Sequence, residues 1–318
     1  MINFQKQTIY FLFIFVVLLL FSNTAKSQLD SNLLVFSNSR YIKVNDILLH
    51  YRTWNHTSNN FKGKVLLVHG FCGSTFSWRK NIDTLIGSGY DVVALDMPAF
   101  GYSDRNPKIN HSQSSRADLF WQFVNQIDST QSKWNLIGHS MGGGVVEAMA
   151  LMQPEKTKSV MFVDGLMFKK NKNYNILAQW YLRFPPTEKI YVFIADKIFF
   201  KPKRIKKMIE SIYFARVDSE IVDGYLTPLL IKGTSKAIIN SFSRSKEIAK
   251  LNIKDLHTPS LAVWGSSDNL LTLSFGLKRL RFNESIDIYV FNGAGHCPME
   301  TKTEQFNKVL IGFLNANN

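Results

Sequence analysis

After residue 38 the chain switches repeatedly between short apolar runs rich in β-branched residues and longer stretches with the period of amphipathic helices. No other feature limits the fold as tightly. Runs without a polar face must be covered on both sides, and parallel strands need a crossover of a dozen or more residues between them. Both demands are met by a mostly parallel sheet with helices on each face. The spacing predicts strands at 64–68, 91–95, 135–137, 159–163, 260–264 and 287–291, with a hairpin of 40–44 and 47–54 turning at Asn45-Asp46. Helices are expected over 78–87, 112–126, 141–152, 273–280 and 303–314.

Residues 166–240 interrupt the alternation, being helix-like, Lys-rich and aromatic-rich but without a core strand. Their Phe, Tyr, Ile and Trp content argues against a disordered loop, so they read as a helical lid inserted after the strand at 159–163. The core is then split into 28–165 and 241–318. At 318 residues, 45% of them hydrophobic, one large α/β domain of eight strands with an insertion is expected rather than several small domains. Two cysteines exclude a disulfide framework and a four-thiolate zinc site.

The formal charge is +14, and the stretch from Lys169 to Glu210, with 11 basic residues against Glu188, Asp196 and Glu210, holds +8 of it. Such a surface favours anionic partners. Within 191–214, basic residues interleave with Phe193, Ile194, Ile205, Ile209 and Tyr213. That pattern suits a lid helix with an apolar underside and a solvated basic face, and it also suits docking on an anionic membrane. No nucleic-acid recognition motif accompanies the charge, so no nucleic-acid partner is expected. Residues 1–27 carry Lys6, an apolar run over 9–21 and then Ala25-Lys26-Ser27, the layout of a signal peptide. Thirteen helical residues rise roughly 20 Å, short of the ~30 Å hydrocarbon core, so cleavage near Ser27 is the first expectation and an anchor over 9–25 the alternative. Either one implies an exported protein, periplasmic or secreted.

Gly138-His139-Ser140-Met141-Gly142 follows the strand at 135–137 and opens the helix at 141–152. In that setting Gly-x-Ser-x-Gly is a strained strand-to-helix elbow that lifts the serine hydroxyl above the sheet edge. A serine is a poor nucleophile until a base takes its proton, and the base needs a carboxylate to orient it. Asp268, in Gly265-Ser266-Ser267-Asp268, and His296, in Gly293-Ala294-Gly295-His296, follow in the required order, each just past a strand. Asp164, at the end of the strand 159–163, is the rival orienting acid. Oxyanion donors are expected from His69-Gly70-Phe71, where Gly70 lets the Phe71 amide approach the Met141 amide. Such chemistry needs no metal and no organic cofactor.

These segments, together with Asp96-Met97-Pro98-Ala99-Phe100-Gly101-Tyr102-Ser103-Asp104, resemble the α/β-hydrolase family in its lid-containing, esterase- and lipase-like serine branch, from about residue 40 to 314. The resemblance implies Ser140 as nucleophile, His296 as general base then acid, Asp268 as orienting carboxylate, the Phe71 and Met141 amides as oxyanion hole, and His69, Gly70, Gly138 and Gly142 as supporting motif. Serine rather than aspartate at the elbow separates the chain from the similar epoxide hydrolases and haloalkane dehalogenases and points to acyl chemistry on a small-molecule ester. Hydrolysis of a C–C bond in a diketone-like substrate is the enzymatic alternative, and a non-catalytic binding module on the same fold is the other. Relatives usually carry Gly where this chain has Ala99, so if that turn needs positive φ, either Ala99 is strained or the turn has shifted. His69 and His139 read as packed structural residues, and His50, His56, His111 and His257 show no partner pattern. Asp96 reads as a turn residue accepting backbone bonds. Cys72 and Cys297 lie on loops that meet in this fold, either as apolar thiols or as a disulfide. Trp78 and Trp180 are candidate contributors to acyl selection.

Overall fold

Asn45 and Asp46 both adopt positive φ, 47° and 65°, the twist of a two-residue hairpin that joins β1 (Ser39–Val44) to β2 (Ile47–Trp54). The computed structural model describes residues 35–106, 108–166, 185–243 and 245–318. The candidate signal segment 1–27, together with Lys169, Lys170, Lys172, Trp180 and Arg183 of the basic stretch, lies outside the described residues.

Six further strands follow: β3 (Gly63–Val68), β4 (Tyr90–Leu95), β5 (Trp134–His139), β6 (Thr157–Val163), β7 (Ser260–Gly265) and β8 (Asp287–Phe291). They form one eight-stranded sheet in the order β1-β2-β4-β3-β5-β6-β7-β8. Pairing is antiparallel at β1–β2 and β2–β4 and parallel elsewhere. The direction of strand addition reverses about β3, because β4 joins one side of it and β5 the other. The carboxyl ends of β3 and β5 therefore border the crevice where open α/β sheets bind ligands. Val65 to Val68 of β3 and Leu136 and Ile137 of β5 are fully buried, as strands covered on both faces must be.

The core helices are α1 (Ile82–Gly87), α2 (Gln113–Ile127) and α3 (Met141–Met152). Helix α1 starts later than the periodicity at 78–87 suggests, because Ser74 caps a separate 3-10 turn over Thr75–Trp78. Between β6 and β7 the chain builds α4 (Pro185–Ile194), α5 (Pro202–Tyr213), α6 (Ser219–Leu229) and α7 (Thr234–Ser243). Pro202 pre-sets the first turn of α5; Ile205, Ile209 and Tyr213 are buried, while Lys203, Arg204, Lys206 and Lys207 are exposed. The chain closes with α8 (Leu273–Leu280), the short α9 (Pro298–Thr301) and α10 (Thr303–Ala316). Among the described residues no helix is long and apolar enough to cross a membrane.

Candidate active site

Ser140 sits at φ 50° and ψ −117° between β5 and α3, a conformation open to glycine and costly for a residue with a side chain. The elbow is this sharp because its neighbours are small. A Cβ on Gly138 would lie 2.3 Å from the Gly142 carbonyl oxygen, and one on Gly165, past β6, only 2.1 Å from the Ser140 carbonyl oxygen. The Ser140 N–H donates to the Val163 carbonyl at 2.8 Å, which fixes the turn to the neighbouring strand. On the other side, a Cβ on Gly70 would fall 3.0 Å from the Ser140 Cβ, so the Gly70-Phe71 loop lies directly beside the serine.

His296 and Asp268 meet from separate loops past β8 and β7, Nδ1 to Oδ2 at 2.6 Å. Asp268 Oδ1 accepts the Leu270 and Leu271 N–H groups at 2.8 and 2.9 Å. An acceptor carboxylate places the imidazole proton on Nδ1, which leaves the Nε2 lone pair open. Nε2 is buried and has no hydrogen-bond partner, and among the described residues no hydrogen bond joins it to Ser140. The loop is held from two sides. Its His296 N–H donates to the Ile212 carbonyl at the end of α5 at 2.7 Å, and its His296 carbonyl accepts from His139 Nε2 at 2.7 Å.

His139 and His69 are thereby engaged in structure. Burial, with His296 alongside, drives His139 well below the ordinary imidazole range. Burial likewise lowers His69 to about 4; its Nδ1–H donates to the Gly70 carbonyl at 2.7 Å while Nε2 accepts the Met97 N–H at 3.0 Å. Both rings are neutral at pH 7, and the second shapes the loop that carries Phe71. Cys72 and Cys297 are free and buried, with Cys297 Sγ 3.9 Å from His139 Nε2. Ala99 has φ 77°, the strained alternative anticipated for that turn, and its N–H is fixed by the Asp104 carbonyl at 2.8 Å.

Asp164 joins the same group: one ligand atom each of Asp164, Asp268 and His296 lie within 4.8 Å of one another, all three residues buried. It is the one set among the described residues with the spacing to hold a metal ion. Asp268 and His296 are, however, already bonded to each other in it.

Three features escaped the sequence reading. Asp96 accepts not only the Thr75 and Tyr102 N–H groups, at 2.6 and 2.8 Å, but also His50 Nδ1 at 2.7 Å. That contact depends on the β2–β4 pairing, which no local pattern reveals. Arg116 of α2 is buried beside the oxyanion candidate Met141, Nη1 to Sδ at 3.0 Å, and donates from Nη2 to His111 Nδ1 at 3.1 Å. Burial lowers its guanidinium to about 9, which keeps it charged at pH 7. Glu300, just past His296, is buried between Arg79 and the Tyr225 hydroxyl of α6. An isolated Glu in a short helix gives no hint of burial, because its partners lie 221 and 75 residues away.

With this geometry established, residues 64–197 match the profile of the alpha/beta hydrolase fold. The chain has the α/β-hydrolase fold. An uncharacterized hydrolase, YugF, of Bacillus subtilis (strain 168) is 26% identical over 280 residues, covering 86% of this chain and 97% of its own length. A 2-hydroxy-6-oxononadienedioate/2-hydroxy-6-oxononatrienedioate hydrolase of Escherichia coli (strain K12) is 24% identical over 291 residues, covering 87% and 96%. Among solved structures, a membrane phospholipase A described as a bacterial virulence factor superposes with a TM-score of 0.67 at 20% identity, covering 87% of this chain and 86% of its own.

Proposed function

We propose that this protein is an exported serine hydrolase that cleaves carboxylic esters of lipid or other apolar acyl groups. The observation that supports the reading is the strained Ser140 elbow, whose neighbour His139 bonds the His296 carbonyl, together with a His296 whose Nδ1 is tied to Asp268 and whose Nε2 is open. Ser140 Oγ attacks the ester carbonyl carbon as its proton passes to His296 Nε2, and the carbonyl oxygen takes the negative charge. The Phe71 and Met141 amides face that oxygen, a contribution of about 3–4 kcal/mol per donor in such sites. His296 then gives its proton to the leaving alcohol, and a water activated by the same nitrogen releases the acid from Ser140.

An apolar acyl substrate and an anionic membrane suit the rim. Phe214, Phe71 and Leu270 are 59%, 42% and 37% exposed. Phe214 closes α5, whose outer face carries Lys203, Arg204, Lys206 and Lys207, and the Asn269 side chain reaches the Ser211 carbonyl at 3.5 Å, bringing the Leu270 loop alongside. Apolar tips ringed by cations are the chemistry of an anionic lipid surface.

A fluorophosphonate probe tests the nucleophile: the full chain labels and Ser140→Ala does not. A series of p-nitrophenyl esters of rising chain length then gives the acyl preference. Cosedimentation with vesicles containing phosphatidylserine, but not with neutral vesicles at low salt, supports the membrane contact; equal binding to both refutes it. Cleavage of a C–C bond in a diketone-like substrate is the second reading, favoured by the name of the Escherichia coli relative. Turnover of a dienoic diketone analogue with no ester turnover decides for it.

A further inference from the structure

Behind the histidine stand two buried carboxyl groups where the proposed chemistry needs one. Asp164 and Asp268 come within 4.8 Å through the atoms they offer. Two unit charges so close in a dry site cannot both persist, so one group keeps a proton. The donors around them decide which. Asp268 receives three: the Leu270 and Leu271 N–H groups and the Nδ1–H of His296. Asp164 receives one, the Gly265 N–H on Oδ1 at 2.8 Å, and its Oδ2 is buried with no acceptor bond from any neighbour. Donors stabilise the ionised form, so the charge belongs to Asp268.

We propose that Asp164 is an un-ionised positioning residue whose Oδ2–H donates to Asp268, so that the pair presents one negative charge to His296. Burial and the adjacent Asp268 push Asp164 well above the usual carboxylate range, in the same direction. The other titratable groups around the pair are consistent with a single charge. His296 is bonded to Asp268, His139 is held neutral behind it, and burial first, with the charges of Glu300 and Asp268 after it, keeps the Cys297 thiol protonated. The backbone supports the placement at a cost. Asp164 has φ 46°, between Val163, which accepts the Ser140 N–H, and Gly165, which packs on the Ser140 carbonyl. One short segment thus touches both the serine elbow and the carboxylate that orients the histidine.

The inference rests on the serine-hydrolase reading for its effect on rate, but not for the location of the proton. Two measurements on the full chain therefore separate them. Asp164→Gly relieves the positive φ and removes the donor; fluorophosphonate labelling is expected to slow about tenfold, the effect of one lost buried hydrogen bond. Asp164→Asn, which tolerates positive φ and still offers an N–H, recovers most of that loss, whereas Asp268→Asn slows labelling by about 10³–10⁴. Infrared spectra at pH 8 are expected to contain the carbonyl stretch of an un-ionised carboxylic acid in wild type and to lose it in Asp164→Asn. Slowing of Asp164→Asn to the level of Asp268→Asn, full activity in Asp164→Gly, or no acid band in wild type each overturns the proposal. If wild type and Ser140→Ala label equally, the hydrolase reading fails, and the infrared comparison still judges the proton.

Discussion

The backbone of Ser140 makes a prediction about stability that does not depend on substrate. At φ 50° and ψ −117° the residue lies outside the wells that L-amino acids fill, at a cost of about 1–3 kcal/mol. Glycine reaches the same point freely, but its larger unfolded-state freedom takes back about 0.4–1 kcal/mol. Alanine keeps the Cβ and the strain. Ser140→Gly should therefore be more stable than Ser140→Ala by about 1 kcal/mol, or roughly 2–4 °C in a domain of this size. Both variants lack the hydroxyl, so the comparison isolates backbone strain from any role of the oxygen. Thermal melts by fluorescence and urea midpoints on the full chain measure the difference. If glycine is no more stable than alanine at this position, the elbow stores no strain and the geometric case for an activated serine weakens.

Glu300 and Arg79 form a partly buried pair, with side-chain exposures of 0% and 19%. Glu300→Gln and Arg79→Met, each of which strands the partner's charge, should each cost about 3 kcal/mol, and the double variant, which strands none, clearly less than their sum; additive urea midpoints would contradict this. Burial alone would raise Asp96, yet His50, His69 and the Tyr102 N–H hold it below the ordinary carboxylate range. A lowered folded-state pKa means that its stabilisation is complete above the unfolded value of about 3.9 and is lost as pH falls through the folded one. Asp96→Asn should accordingly flatten the fall in urea midpoint below about pH 4. A Cβ on Gly312 of α10 meets nothing within 4 Å, so Gly312→Ala should stabilise by about 0.8–1 kcal/mol. Gly165→Ala would press into the Ser140 backbone and should abolish fluorophosphonate labelling; normal labelling would show that the elbow tolerates displacement.

The strands, the hairpin at Asn45-Asp46 and the elbow were legible because each is written in adjacent residues: apolar runs, a turn pair, a Gly-x-Ser-x-Gly step. Met141–Met152 and Leu273–Leu280 match the expected helices to the residue. What could not be read is what strand pairing brings together. Val163 lies opposite Val263, so Asp164 leaves β6 alongside the last two residues of β7, Trp264 and Gly265, and that registry sets Asp164 against the loop of Asp268. The sequence offered two acids as competitors for one task, whereas the fold supplies both to one histidine. Arg116 was invisible for a similar reason, since an amphipathic helix gives no sign that one of its cations faces inward.

The bond from the His296 N–H to the Ile212 carbonyl couples the helices between β6 and β7 to the loop that carries the imidazole. Remodelling α5 to admit a different molecule would also shift the ring on which the proposed turnover depends, so substrate range and speed should drift together as the sequence diverges. An engineer transplanting this cap to another scaffold would have to move residues 211–214 and 294–297 as one piece.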